Sequence, residues 1–313
     1  LAAAAASLPA GALAQGGGPR PLRLLVSFPA GGTMDVVARL FAPTLTARLG
    51  TPVVVDNRPG GGTVIATQEA ARAVPDGSTV LMTANSITIN PFVQRNLPYD
   101  VERDFAPLAH VAVLPHMMVV HPSLGVRDLR GLVELSRSRP GGLTYASYGT
   151  GTSNHLMTEI LKTRTGAQLS HVPYRGAGQW LPDLLEGRVD MVLAILSDVV
   201  PPAREGRVTP IAVAHTTRLG PVPEVPTFAE LGVADFTSNS WFGFFTNAAA
   251  PEAQRARLSE ALRAPLALPE VRQRFEELWI EPTGLDAAAF AGFLRSERSQ
   301  YAEAVRLAGL QPQ

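Results

Sequence analysis

Two glycine-rich stretches about 120 residues apart carry the chemistry of this chain. In the first, the apolar run LRLLVSF leads into PAGGTMD (Leu22 to Asp35). In the second, LTYAS leads into YGTGTSNH (Leu143 to His155). Both read as a strand entering a turn without bulk that opens onto a helix. A helix start carries unpaired N–H groups and the positive end of the helix dipole, so such a turn lets a small anion approach closely. Two of them facing each other would clamp an anion between two lobes.

Catalytic chemistry has little to stand on. There is no Gly-x-Ser-x-Gly elbow and no His-Glu-x-x-His pair. Ser153 and His155 lie two apart at a helix start and cannot face each other there. His110, His116, His121, His155, His171 and His215 are scattered, which argues against a metal site. NRPGGGT (Asn57 to Thr63) lacks the Gly-Lys-Ser/Thr ending of a nucleotide loop. No enzyme activity, metal or cofactor is expected.

With 313 residues, 46% of them apolar and 17% charged, the chain is long enough for two α/β units, each with its own core. Its 27 basic residues balance its 27 acidic ones, so no electrostatic footprint for nucleic acid or membrane is present. There is no cysteine, which removes disulfides, thiolate metal sites and thiol nucleophiles. Leu1 to Ala14 is apolar and alanine-rich and ends in Ala-Leu-Ala, as a secretory signal does before a cut at Gln15. Residues 1–20 are therefore expected to be a signal remnant and flexible leader, and the mature protein periplasmic. No other stretch is long and apolar enough to span a membrane.

The elements that must position the turns follow from apolar periodicity. Leu22 to Phe28 reads as a buried strand, followed by a helix through Leu49 that Pro43 should kink. The strand Pro52 to Asp56 completes a βαβ unit. NRPGGGT opens a helix over Val64 to Ala73, and Ser78 to Thr83 is the next strand. Leu108 to His121 has strand character on both sides of Pro115, which suits a segment leaving one sheet for another. A second α/β pattern then runs through helix Asp128–Ser138, strand Leu143–Ser147, helix Ser153–Arg164, strand Leu169–Val172, helix Gln179–Glu186 and strands Val189–Ala194 and Pro210–Ala214. Ser238 to Thr246 is a returning strand. The chain after it is helical and should pack on the first lobe. The expected division is 21–112 plus 241–313 for lobe one and 113–240 for lobe two, hinged where two strands cross.

These residues resemble the substrate-binding receptors of tripartite tricarboxylate transporters, the Bug family. The resemblance runs from about Pro21 to Leu307 and is carried by FPAGGTMDVVAR (Phe28 to Arg39), VVVDNRPGGGT (Val53 to Thr63), PDG (Pro75 to Gly77) and LPYDVERDF (Leu97 to Phe105). Further along it rests on YASYGTGTSNHL (Tyr145 to Leu156), HVPYRGAG (His171 to Gly178), DLLEGRVD (Asp183 to Asp190) and VPTFAELG (Val225 to Gly232). TNAAAP (Thr246 to Pro251) and Ser78 depart from the family pattern, away from the anion turns. The resemblance implies a two-lobed periplasmic-binding-protein fold of the Venus-flytrap type II kind. It also implies a small carboxylate ligand and integral-membrane transporter subunits as partners, with the receptor itself a monomer outside the membrane. A ligand-sensing receptor serving a signalling partner is the alternative.

By matching motif, ligand contacts fall on Pro29, Ala30, Gly31, Gly32 and Thr33 in lobe one and on Ser147, Gly149, Gly151 and Thr152 in lobe two. Tyr174, Arg175 and Gly176 would line the same cleft, and Asn85 and Asp198 complete the expected set. Phe28 and Trp241 are read as cleft walls, Trp180 as packing and Asp35 as a brace of the turn. Taken alone, Gly31 and Gly32 also fit an ordinary tight turn, and Arg58 either a solvated charge or a cleft-edge cation. Two rival classes are weaker: an effector domain would need a helix-turn-helix ahead of Leu22, where the residues read as leader, and an enzyme would need a catalytic constellation.

Overall fold

The structure, a computed structural model, describes residues 20–307 and 312, so the leader expected over residues 1–20 lies outside the described residues except for Arg20. The apolar run after it forms β1 (Leu22–Val26), and α1 (Thr33–Leu49), β2 (Val53–Asn57), α2 (Val64–Ala71) and β3 (Thr79–Thr83) follow. β1 pairs in parallel with β2 on one side and β3 on the other, which explains why Leu24, Leu25 and Val26 are all buried. α1 lays Met34, Val37, Phe41, Leu45 and Leu49 onto that sheet and runs through Pro43 as one helix of 17 residues. Two short helices, α3 (Ser86–Val93) and α4 (Val101–Asp104), precede β4 (Phe105–Val120).

β4 is the first crossing. Residues 105–115 pair with the returning strand, whereas His116 to Val120 pair with strands of the second lobe. The change of partner falls at Pro115, which has no N–H to donate to a ladder. The second lobe then comprises α5 (Leu129–Ser138), β5 (Leu143–Ser147), α6 (Ser153–Thr165), β6 (Leu169–Pro173), α7 (Ala177–Leu185), β7 (Met191–Ile195), α8 (Leu196–Arg204) and β8 (Thr209–Val213). β9 (Asn239–Asn247) crosses back between β3 and β4. The remainder is α9 (Glu252–Arg263), α10 (Pro269–Glu277), β10 (Glu281–Leu285) and α11 (Ala287–Leu307). The strand order is β2-β1-β3-β9-β4-β7-β5-β6, with β8 and β10 also on β4. This is the expected mixed α/β, two-lobed architecture with two crossing strands.

Two details differ from the sequence expectation. α3, α4, α8 and β10 lie outside it, α8 being hidden because Pro201 and Pro202 lie inside its nine residues. α9 and α10 do pack on the first lobe, with Leu258, Leu262 and Phe275 in the core that holds Phe41. α11 instead straddles both lobes: Phe290 sits against Leu25 and Phe245, while Val305 joins Met118 and Tyr145 of the second lobe. No helix among the described residues is long and apolar enough to cross a membrane.

Candidate ligand-binding cleft

The turn after β1 stands at the mouth of the first lobe. Gly31 adopts φ +81°, a left-handed conformation that a Cβ would strain. Its N–H donates to Asp35 Oδ2 at 2.9 Å, and Arg39 Nε donates to the same carboxylate at 3.0 Å. Burial works against charge on Asp35, yet the bonds from Arg39, Gly31 and Asn57 hold its carboxyl below the usual range. Asp35 thus braces the turn. Beyond Gly32, the amides of Thr33 and Met34 open α1 and have no acceptor within the helix.

These residues form one wall of a cleft of about 700 Å³, with Phe28, Pro29, Ala30, Gly31, Gly32 and Thr33 all on it. The facing wall belongs to the second lobe. It is built by Arg175, Gly176, Ala177 and Gly178 at the start of α7, and by Ser197 and Asp198 at the start of α8. Three helix N-termini therefore converge on one cavity. Tyr148 forms its floor, its ring edge-on to Phe28 at 6.3 Å, and Phe242 and Leu278 close the far side. The lobes touch here: Thr33 Oγ1 lies 3.1 Å from Ser197 Oγ. Tyr148 donates to Asp198 Oδ2 at 2.6 Å. Burial pushes the Asp198 carboxyl up to about 6, against the hydrogen bonds from Tyr148 and Thr33.

Several expected contacts lie elsewhere. Ser147, Gly149, Gly151 and Thr152 are buried and do not line the cleft, because their turn satisfies itself and packs on a different partner. Gly149 N–H donates to Ser147 Oγ at 3.0 Å, Gly151 N–H to His155 Nδ1 at 3.3 Å, and Thr152 Oγ1 to Gly149 O at 2.6 Å. Ser147 Oγ also lies 2.6 Å from His171 Nε2. The turn faces Gly62, Asn90 and Gln94 of lobe one, so its opposite number is NRPGGGT and not PAGGT. Tyr174 sends its hydroxyl to Asp183 at 2.6 Å, along the flank of α7.

Asn85 and Trp241 are core residues, not cleft residues. Asn85 Nδ2 donates to Glu297 Oε1 at 3.0 Å, and its Oδ1 accepts the Trp241 N–H at 3.0 Å. The Trp241 indole, fully buried, donates to the same Glu297 oxygen and meets Phe290 edge-on. Residues missed from the sequence include Tyr148, Ala177, Gly178, Ser197 and Leu278 on the cleft, and Glu297 behind it, whereas Phe242, which the sequence left open as core or cleft wall, lines the cleft. Trp180 is buried against Tyr148, as packing, and Arg58 pairs with Asp56. Among the described residues no cluster of three or more histidine and acidic side chains could hold a metal.

The model of the tripartite tricarboxylate transporter family receptor matches residues 37–310. The chain belongs to that family. Protein BugT of Bordetella pertussis is 32% identical over 292 residues, covering 93% of this chain and 90% of that protein. Rpa4515 of R. palustris, solved with adipate, superposes with a TM-score of 0.88 at 32% identity, covering 94% of this chain and 99% of that one. MatC of Rhodopseudomonas palustris, solved with bound malate, gives 0.84 at 28% identity, with 92% and 99% covered. The tripartite tricarboxylate transporter receptors are binding proteins and not enzymes, which agrees with a cleft built of helix starts.

Proposed function

We propose that this chain is a periplasmic receptor that closes on a small carboxylate and delivers it to a tripartite tricarboxylate-type membrane transporter. The observation that carries the reading is the convergence of α1 and α7, from opposite lobes, on one cleft with their first-turn amides unpaired by the helix. A carboxylate there would accept from Thr33 and Met34 on one side and from Ala177 and Gly178 on the other, with Arg175 at the rim. Phe28, Pro29, Ala30, Gly31, Gly32 and Gly176 would shape the cavity around it. Adipate and malate in two similar proteins support this ligand class. Residues 21–112 with 241–313, and 113–240, are the two units we take to move about β4 and β9.

A thermal-shift panel of carboxylates tests the reading. A ligand at a hundred times its Kd stabilises the fold by about 2.7 kcal/mol. At least one mono- or dicarboxylate should give such a shift, and a panel in which only phosphate or a sugar does so would sink the assignment. Gly32→Val offers a control. Gly32 has ordinary extended backbone, and its Cβ would meet only Pro29 O at 3.4 Å, so the fold should keep its melting temperature. The added side chain would stand at the mouth of α1, and the carboxylate-induced shift should vanish. An undiminished shift in this variant would contradict amide contacts at α1.

A further inference from the structure

α1 and α8 each carry an aspartate at the third helical position, and the two are treated differently. Asp35 of α1 is paired with Arg39 and with the Gly31 N–H, so its charge is consumed locally. Among the described residues, Asp198 of α8 receives only hydroxyls: Tyr148 OH at 2.6 Å and Thr33, which also meets Ser197. The cations of the cleft do not serve it. Arg274 pairs with Glu277 at 2.7 Å, and Arg175 stands exposed at the rim without an ion pair to Asp198 among the described residues. α7, the third helix start, has no acidic residue in its first turn. The cleft is therefore polarised. Its α1 and α7 corner presents unpaired N–H groups, and its α8 corner presents an acceptor that cancels that helix's own dipole.

An anion enclosed without a cation is unfavourable, and an opposite charge a few ångströms away relieves it. From this geometry we propose that the ligand carries a protonated amine beside its carboxylate, with Asp198 as the counter-ion of the amine. The inference rests on the carboxylate-receptor reading above and specifies the ligand class within it. A plain dicarboxylate would bring further negative charge towards Asp198 and would bind only with uptake of a proton. An amino acid satisfies both corners at neutral pH. The rest of the carbon skeleton would lie along Phe28, Met34 and Phe242 on the cleft lining. Because burial raises the Asp198 carboxyl to about 6, the advantage of an amine should narrow as pH is lowered through that value.

Calorimetric titration of the purified receptor with matched pairs provides the test: 2-aminoadipate against adipate, glutamate against glutarate, and 6-aminohexanoate against hexanoate. At pH 7.5 the aminated member of at least one pair should bind about tenfold or more tightly. In Asp198→Asn, which keeps an acceptor for Tyr148, that advantage should collapse to within about threefold while the plain acid binds as well or better. Plain acids binding the unmodified receptor as tightly as their aminated partners would overturn the role of Asp198 and leave the carboxylate reading intact. A preference that survives in Asp198→Asn would also overturn it. Binding of no member of any pair by the unmodified receptor would defeat the carboxylate reading itself, which separates the two failures.

Discussion

Gly62→Val is expected to lower carboxylate affinity about a hundredfold while leaving each lobe folded. Gly62 sits at φ +58° in NRPGGGT, and an added Cβ would lie 1.9 Å from Thr150 O of the opposite lobe. Asn90 Nδ2 donates to Gly62 O at 2.9 Å and fixes the turn, so it cannot simply swing aside. The left-handed backbone costs a side chain about 1–2 kcal/mol whether the lobes are together or apart, and overpacking against Thr150 adds about 1–3 kcal/mol only where they meet. An overpacking penalty of about 3 kcal/mol confined to the closed arrangement is about two decades of affinity. The clash is relieved when the lobes part, so the melting temperature without ligand should fall only by the backbone cost. Titration calorimetry and small-angle scattering check both halves: ligand should compact the unmodified protein and fail to compact the variant. Unaltered affinity would mean that ligand binding does not need the Gly62–Thr150 contact.

The first lobe's share of the site was readable because one short segment states everything. In Leu22–Thr33 an apolar strand, a left-handed glycine and an unpaired helix start follow one another, and each is a local property of the chain. The second lobe's share was not readable in the same way. YGTGTSNH has the same local grammar, but what a turn faces is decided by how the lobes meet, and there it meets Gly62 and Asn90. The cleft wall came instead from α7, half recognised through Arg175 and Gly176, and from α8, masked by two prolines. Trp241 illustrates a second limit. Beside a predicted ligand turn it looked like a wall, yet strand alternation sends Ser240 and Phe242 to the cleft and the indole to the opposite face. Glu297 left no signal, since a lone glutamate on a long polar helix reads as a solvated charge.

Glu297 gives the second large effect, through pH. It is 7% exposed, and its carboxylate ties three parts of the fold together behind the cleft: Asn85 and Thr88 at the start of α3, Trp241 on the returning strand β9, and its own helix α11. Burial pushes its carboxyl up to about 7 in spite of those donors. The protonated form is well accommodated. Thr88 Oγ1 lies 2.7 Å from Glu297 Oε2 and 2.7 Å from Asn85 O, so its oxygen can accept a hydrogen bond from the protonated Glu297 while its own O–H donates to the carbonyl. With the folded value above the unfolded one, near 4.5, the folded state holds the proton more tightly between the two. Its stabilisation is complete below about 4.5 and is lost as pH rises through about 7, a change of about 3 kcal/mol between pH 4 and pH 8. Asp198 acts in the same direction over a lower window, ending near 6. Other carboxylates, such as Asp35 and Asp56, act oppositely at acid pH, so the unmodified profile is a composite. Glu297→Gln isolates the term, because the amide imitates the protonated acid at every pH. The difference in unfolding free energy between unmodified protein and variant should therefore slope between about pH 4.5 and pH 7, moving in favour of the variant as pH rises, and level off above that. A difference that stays flat from pH 5 to pH 8 would show that Glu297 is ionised throughout and that the network is built around a carboxylate.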